Sequence, residues 1–268
     1  MILDKTIPHP FHLSKVVRTH VLDIPVDCVV PDELEQALDE LADAAQEGKP
    51  AQIIFLRTRD IFRARRDRSF RSALMDAGLI LPVSKEITRA LRQFRRPVPH
   101  RFFPTDTMVR ILGWLEGRQG GLYLLGAKGL EITTVEQRLR QTFPGCRIVG
   151  RYMGFFSRSN EQRVCMAIKK SNPVLLLAGP GLVGTSKWLH RRKACLNLGL
   201  SVWTDDFFSY ILGKSRRVNK VSFRRGREFL GGVNLAPWKM LEVFTLMGFR
   251  LRVLLQRTFG RRRRRVES

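Results

Sequence analysis

Between Val21 and Thr204 short apolar runs alternate with longer amphipathic stretches, and this alternation restricts the fold more than any other feature of the chain. The apolar runs are His20–Ile24, Gln52–Leu56, Gly78–Leu81, Leu122–Leu125, Arg147–Val149, Val174–Ala178 and Leu200–Trp203. Each is brief, leucine-rich or β-branched, and bounded by glycine, proline or charge, as buried strands are. Pro31–Gln46 reads as a helix: proline stands at a first-turn position, Asp32 and Glu33 lie beside the positive helix end, and Leu34, Leu38 and Leu41 share one face. Arg68–Ala77, Ser84–Phe94, Asp106–Glu116, Ile132–Thr142 and Ser159–Lys170 read similarly, and another helix opens near Val183. Strand–helix alternation predicts an α/β layered domain with a mainly parallel sheet. The composition divides the chain into an N-terminal extension over 1–20, the α/β domain over 21–212 and a basic appendage over 213–268.

Ligands of open α/β sheets sit beyond the carboxyl ends of the strands. The residues expected there are Arg57-Thr58-Arg59-Asp60, Pro82-Val83-Ser84-Lys85-Glu86, Gly126-Ala127-Lys128-Gly129, the turn Gly179–Gly184, and Thr204-Asp205-Asp206. Glycine-rich turns that open helices, with cations nearby, suit a phosphate-bearing ligand. Gly179–Gly184 also fits G-x-G-x-x-G, with acids Asp205 and Asp206 about twenty residues on, as in a dinucleotide fingerprint. A dinucleotide-binding enzyme and a tight turn without a ligand both remain open at that site.

The four cysteines, Cys28, Cys146, Cys165 and Cys195, form no CxxC pair, and the five histidines form no HxxxH or HExxH arrangement. Neither a metal site, a cofactor nor a disulfide framework is expected, and a reducing compartment fits. No apolar run reaches the roughly 18 residues of a spanning helix, and the first twenty residues lack a signal-peptide core. The expected location is the cytoplasm, peripheral on the inner face of the membrane.

Charge is concentrated at the end. The chain carries 48 Lys and Arg against 24 Asp and Glu, and from Phe207 onward the count is 16 against three. Met240–Phe259 places Leu241, Phe244, Met247 and Leu251 at helical spacing before the run Arg261–Arg265. One reading is a membrane-surface segment, with Arg250, Arg257, Arg261, Arg262, Arg263, Arg264 and Arg265 meeting an anionic leaflet. Another is a terminal helix packed on the body with a solvated arginine end. Nucleic acid is disfavoured, because basic residues are not interleaved with aromatic ones for base stacking.

Val21-Leu-Asp-Ile-Pro-Val-Asp27, Gly78-Leu-Ile-Leu-Pro82, Pro97-Val-Pro-His-Arg101 with Asp106, Gly121–Gly126, Phe143–Gly150 with Gly154-Phe-Phe156, Lys187-Trp188, Phe208–Lys214 with Arg217, and Gly226-x-Glu228 occur in a fixed order. As an ordered set they resemble the bacterial WecG/TagA/CpsF glycosyltransferase family, over about Val21 to Phe259. The resemblance implies a Rossmann-like fold that moves an N-acetylhexosamine-type sugar from a UDP donor to a lipid-diphosphate-linked sugar acceptor. It implies inversion without a required metal, and a basic C-terminal appendage on the membrane, in cell-envelope polysaccharide assembly. A homo-oligomer is left open.

By that resemblance Arg101, Gly126, Lys187 and Arg217 bind substrate, and Glu228 is an acceptor-site group or an ion pair of the basic patch; the glycine turn adds Gly179 and Gly181 as substrate-binding candidates, and Thr185 stands where the family motif has another polar residue. The family's general-base aspartate is replaced by Val83, which cannot take a proton. Glu86 is a surrogate base or a solvated helix carboxylate, and Asp106 a catalytic group or a helix cap. The function expected is therefore a divergent transferase, either working or impaired in catalysis, or a non-catalytic descendant that docks on membrane or a partner.

Overall fold

The computed structural model describes residues 8–182, 186–196, 198–214 and 247–254. Six parallel strands form the central sheet: β3 (Ala51–Leu56), β4 (Leu79–Pro82), β5 (Gly121–Leu125), β6 (Arg147–Tyr152), β7 (Leu175–Ala178) and β8 (Leu200–Trp203). Their spatial order is β4-β3-β8-β7-β5-β6. Every residue of β4, β5 and β7 is buried, which is why these strands read as unbroken apolar runs.

One expected strand is corrected. His20–Ile24 is not a strand but spans the turn of a hairpin between β1 (Val17–Val21) and β2 (Ile24–Cys28). Leu22 and Asp23 both take positive φ, 49° and 62°, as a two-residue hairpin turn requires. Apolar residues on both sides of the turn hid it. The hairpin lies outside the parallel sheet, and β1 begins inside the stretch read as an extension.

Helices cover both sheet faces. They are α1 (Leu34–Gln46), α2 (Thr58–Arg66), α3 (Arg68–Met75), α4 (Lys85–Gln93), α5 (Pro104–Gly117), α6 (Gly129–Thr142), α7 (Arg158–Ser171), α8 (Ser186–Arg192) and α9 (Asp205–Ile211), with a further helical segment over 247–254. Alternate strand residues divide the core. Ile53, Leu81, Leu124, Leu177 and Val202 pack with α1, α5, α6 and α9. Ile54, Leu56 and Ile80 pack with the hairpin, α2, α3, α4 and the 247–254 segment, while Leu125, Leu176 and Ala178 pack with α7 and α8. The result is a three-layer, Rossmann-like α/β fold. In α1 the leucines Leu34, Leu38 and Leu41 are fully buried as their spacing predicts, each contributing about 1.5–3 kcal/mol.

Sequence reading missed α2. Its stretch is mostly charged, and only Thr58, Ile61 and Ala64 are buried. Asp67 ends it and caps α3, its Oδ1 accepting from the Phe70 amide at 3.0 Å. A buried ion pair fastens the hairpin to the sheet. Arg18 donates twice to Asp27, at 2.7 and 2.8 Å, and Asp27 also accepts from the Ile80 amide of β4 at 2.7 Å. Arg18 reaches the Ala77 carbonyl as well, at 2.9 Å.

Candidate active site

The carboxyl edge of β4, β3 and β8 gathers the richest set of polar groups. The chain leaves β3 toward α2, which packs on the hairpin face, and leaves β8 toward α9, which packs on the opposite face. Adjacent strands whose outgoing helices diverge in this way leave a crevice between them. Arg57, at the N-cap of α2, and Asp206, in the first turn of α9, form an ion pair across it, with both side chains partly exposed at 32% and 49%.

Neighbouring contacts fix the walls. The Arg57 amide donates to Asp60 Oδ2 at 2.8 Å. Burial pushes the Asp60 carboxyl upward against the lowering effect of that amide and of Arg59, Arg57 and Arg63. The Thr58 amide donates to Ser84 Oγ at 3.1 Å, and the Val83 amide to the Leu56 carbonyl at 2.9 Å, so the ends of β3 and β4 are tied together. Arg101 Nε donates to the Val83 carbonyl at 3.0 Å. Thr58 Oγ1 is buried and has no hydrogen-bond partner among the described residues.

The described parts of the glycine turns pack closely on one another. A Cβ on Gly126 would stand 2.7 Å from the Gly179 backbone, and one on Gly154 would stand 2.2 Å from the Pro180 carbonyl oxygen. The Cβ position of Gly179 is blocked by the Phe208 ring and that of Gly181 by the Phe155 ring, each at 2.6 Å. Ala127 donates to the Pro180 carbonyl and Gly154 to the Ala127 carbonyl, at 2.8 and 2.9 Å. Trp203 Nε1 donates to the Gly179 carbonyl at 3.1 Å. The close approach that glycine permits at these positions is used by protein, which favours the tight-turn reading over the dinucleotide one.

A family model, glycosyl transferase WecG/TagA/CpsF, matches residues 19–263. The chain belongs to this family. No curated protein matches it in a full-chain comparison.

Within the WecG/TagA/CpsF framework the chemistry-bearing positions fall as follows. Val83 directly follows β4 and is buried, 6% exposed, beside Ser84 at the N-cap of α4. Glu86 lies in the first turn of α4, where it meets Arg89 at 2.8 Å and Arg250 at 3.0 and 3.1 Å. Burial raises its pKa, but the hydrogen bonds and charges of Arg250 and Arg89 outweigh burial and hold it below the usual glutamate value. A carboxylate so held is a weak proton acceptor. Asp106 is inside the first turn of α5, which starts at Pro104 with Phe103 at its N-cap, so Asp106 is not the cap residue. Lys187 of α8 pairs with Asp67 at 2.9 Å. That hydrogen bond, with the Phe70 amide, holds the Asp67 carboxyl below its usual value. Thr185, Arg217, Glu228, Arg257 and Arg261–Arg265 lie outside the described residues.

The helical segment over 247–254 reaches the same neighbourhood. Phe249 and Val253 are buried against the hairpin-side core, and Phe249 meets Phe62 of α2 edge-on at 6.3 Å. Arg252 lies over the Phe62 ring at 4.9 Å. Met247, Leu251 and Leu254 face outward. Among the described residues no group of three or more His, Cys, Asp or Glu side chains is placed to hold a metal ion, and no helix is long and apolar enough to cross a membrane.

The Arg57–Asp206 contact was missed by sequence reading although both residues were placed in strand-end loops. Only the order β3-β8 makes them neighbours.

Proposed function

We propose that the protein transfers an N-acetylhexosamine-type sugar from a UDP donor to a lipid-diphosphate-linked sugar at the inner face of the cell membrane, in cell-envelope polysaccharide assembly. The family match over 19–263 carries this reading, together with the gathering of Arg57, Arg101 and Ser84 at one carboxyl edge. Two guanidinium groups beside helix starts suit a diphosphate. The basic tail, and the outward Met247, Leu251 and Leu254 beside Arg250 and Arg252, suit an anionic lipid surface. In this reading substrates bind at the β3–β8 crevice, and the acceptor proton leaves by a group other than residue 83.

UDP release from a UDP-N-acetylhexosamine, in vesicles containing a lipid-diphosphate-linked sugar, tests the reading. Acceptor-dependent release supports it, and UDP binding without release refutes turnover. The second outcome fits a non-catalytic descendant that holds sugar nucleotide or membrane, a reading favoured by the buried Val83 and the sequestered Glu86.

A further inference from the structure

The geometry points to Asp206 as the proton acceptor of this site, held by Arg57 until a donor diphosphate draws the guanidinium away. The inference rests on the transferase reading above and deepens it.

Of the other acids described around this edge, Asp60, Glu86 and Asp67 are committed, and Asp106 lies in the first turn of α5. Asp60 accepts a hydrogen bond from the Arg57 amide at 2.8 Å. Glu86 is bound by two arginines, and Asp67 by Lys187 and the Phe70 amide. Asp206 differs: its side chain is 49% exposed, and among the described residues its ion-pair partner is the Arg57 guanidinium. Asp205 beside it is exposed, and no ion pair joins it to a cation among the described residues.

Arg57 is fitted to change partners. It stands at the N-cap of a nine-residue helix, where the backbone favours an anion, and its ion pair with Asp206 is half-exposed and therefore weak. A diphosphate offers a guanidinium two parallel charge-assisted hydrogen bonds and twice the charge. Donor binding then neutralises the leaving group through Arg57 and frees the Asp206 carboxylate in the same movement.

The step balances without a further reactant. The acceptor hydroxyl gives its proton to Asp206, and its oxygen forms the new bond to the anomeric carbon. The bond from that carbon to the diphosphate oxygen breaks, its electron pair leaving with UDP beside Arg57. Asp206 is uncharged at the end and returns its proton to water. Without donor the carboxylate stays paired, which suppresses idle chemistry at the open crevice.

The experiment compares the full chain with Asp206→Asn, Arg57→Ala and the double variant Asp206→Asn/Val83→Asp. UDP affinity is read by calorimetry, and turnover by acceptor-dependent UDP release. Asp206→Asn is expected to lower kcat by about 10²- to 10⁴-fold, as removal of a general base does, with UDP affinity kept or raised because Arg57 is freed. Arg57→Ala weakens UDP binding at least about tenfold through its lost charge-assisted bonds. Val83→Asp in the Asp206→Asn background recovers at least part of kcat, which a merely misfolded variant would not do. An Asp206→Asn chain that keeps kcat within about tenfold, below the range expected for a lost base, overturns the inference and leaves the transferase reading intact. Loss of UDP binding in Asp206→Asn also overturns it. A parent chain that binds no UDP removes the transferase reading itself.

Discussion

Arg250 Nε and Nη2 lie 3.1 and 3.0 Å from the two carboxylate oxygens of Glu86, joining residues 164 positions apart. The contact makes Glu86 an anchor for the 247–254 segment. Glu86→Gln is expected to leave kcat within about twofold, against the 10²- to 10⁴-fold loss a general base would show. The same change speeds hydrogen exchange in 247–254. Since Arg250 is 59% exposed, the pair contributes only about 0–1 kcal/mol to docking, and Phe249 supplies the larger part. Phe249→Ala therefore releases the segment more completely than Glu86→Gln, which segment-resolved exchange measures.

The anchor has a pH signature. Glu86 titrates below its ordinary value in the docked state, so its contribution is complete above the free glutamate pKa of about 4.3 and is lost as pH falls through the lowered folded value. Exchange protection of 247–254 is expected to hold steady from neutral pH to about 4.5 and to fall below it. In Glu86→Gln that acid-dependent loss is smaller.

Asp27 gives a stability prediction of a different size. Its side chain is fully buried and accepts from Arg18 and the Ile80 amide. Asp27→Asn leaves the Arg18 guanidinium buried without a counter-charge, at a cost of about 3–5 kcal/mol. Breaking the exposed Arg118–Asp39 pair costs at most about 1 kcal/mol. Urea midpoints of Asp27→Asn and Asp39→Asn measure the contrast.

The glycine loops make a third case. Gly126 has φ 149°, and an added Cβ would collide with the Gly179 backbone at 2.7 Å. Gly126→Ala is expected to destabilise by about 1–3 kcal/mol through overpacking alone. Gly48→Ala, at φ 84° with nothing within 4 Å of the new Cβ, isolates the strain of positive φ without the collision. Comparing their thermal midpoints separates packing from backbone strain.

How much of this was legible in the sequence depended on range. β3, β4, β5, β7 and β8 were readable because each is short, largely apolar and bounded by glycine, proline or a polar residue on at least one side, whereas only the Ile148-Val149 core of β6 stood out, and the buried face of α1 was readable from its leucine spacing. The Leu22–Asp23 turn was not, because its positive-φ residues are neither glycine nor asparagine. Residues at strand ends were legible as loop residues, yet their partners were not. Arg57 meets Asp206 only because β3 lies beside β8, and Glu86 meets Arg250 only because 247–254 packs beside α2 and α4. Long-range pairing is set by the sheet order and the docking of helices, neither of which local periodicity encodes.

The central claim, that the β3–β8 crevice receives a sugar nucleotide through Arg57, is tested most directly by calorimetry of UDP binding to the full chain and to Arg57→Ala. The account predicts binding in the micromolar range, about −8 kcal/mol, weakened at least about tenfold in Arg57→Ala. No UDP binding to the parent chain, or equal affinity in the two proteins, contradicts it.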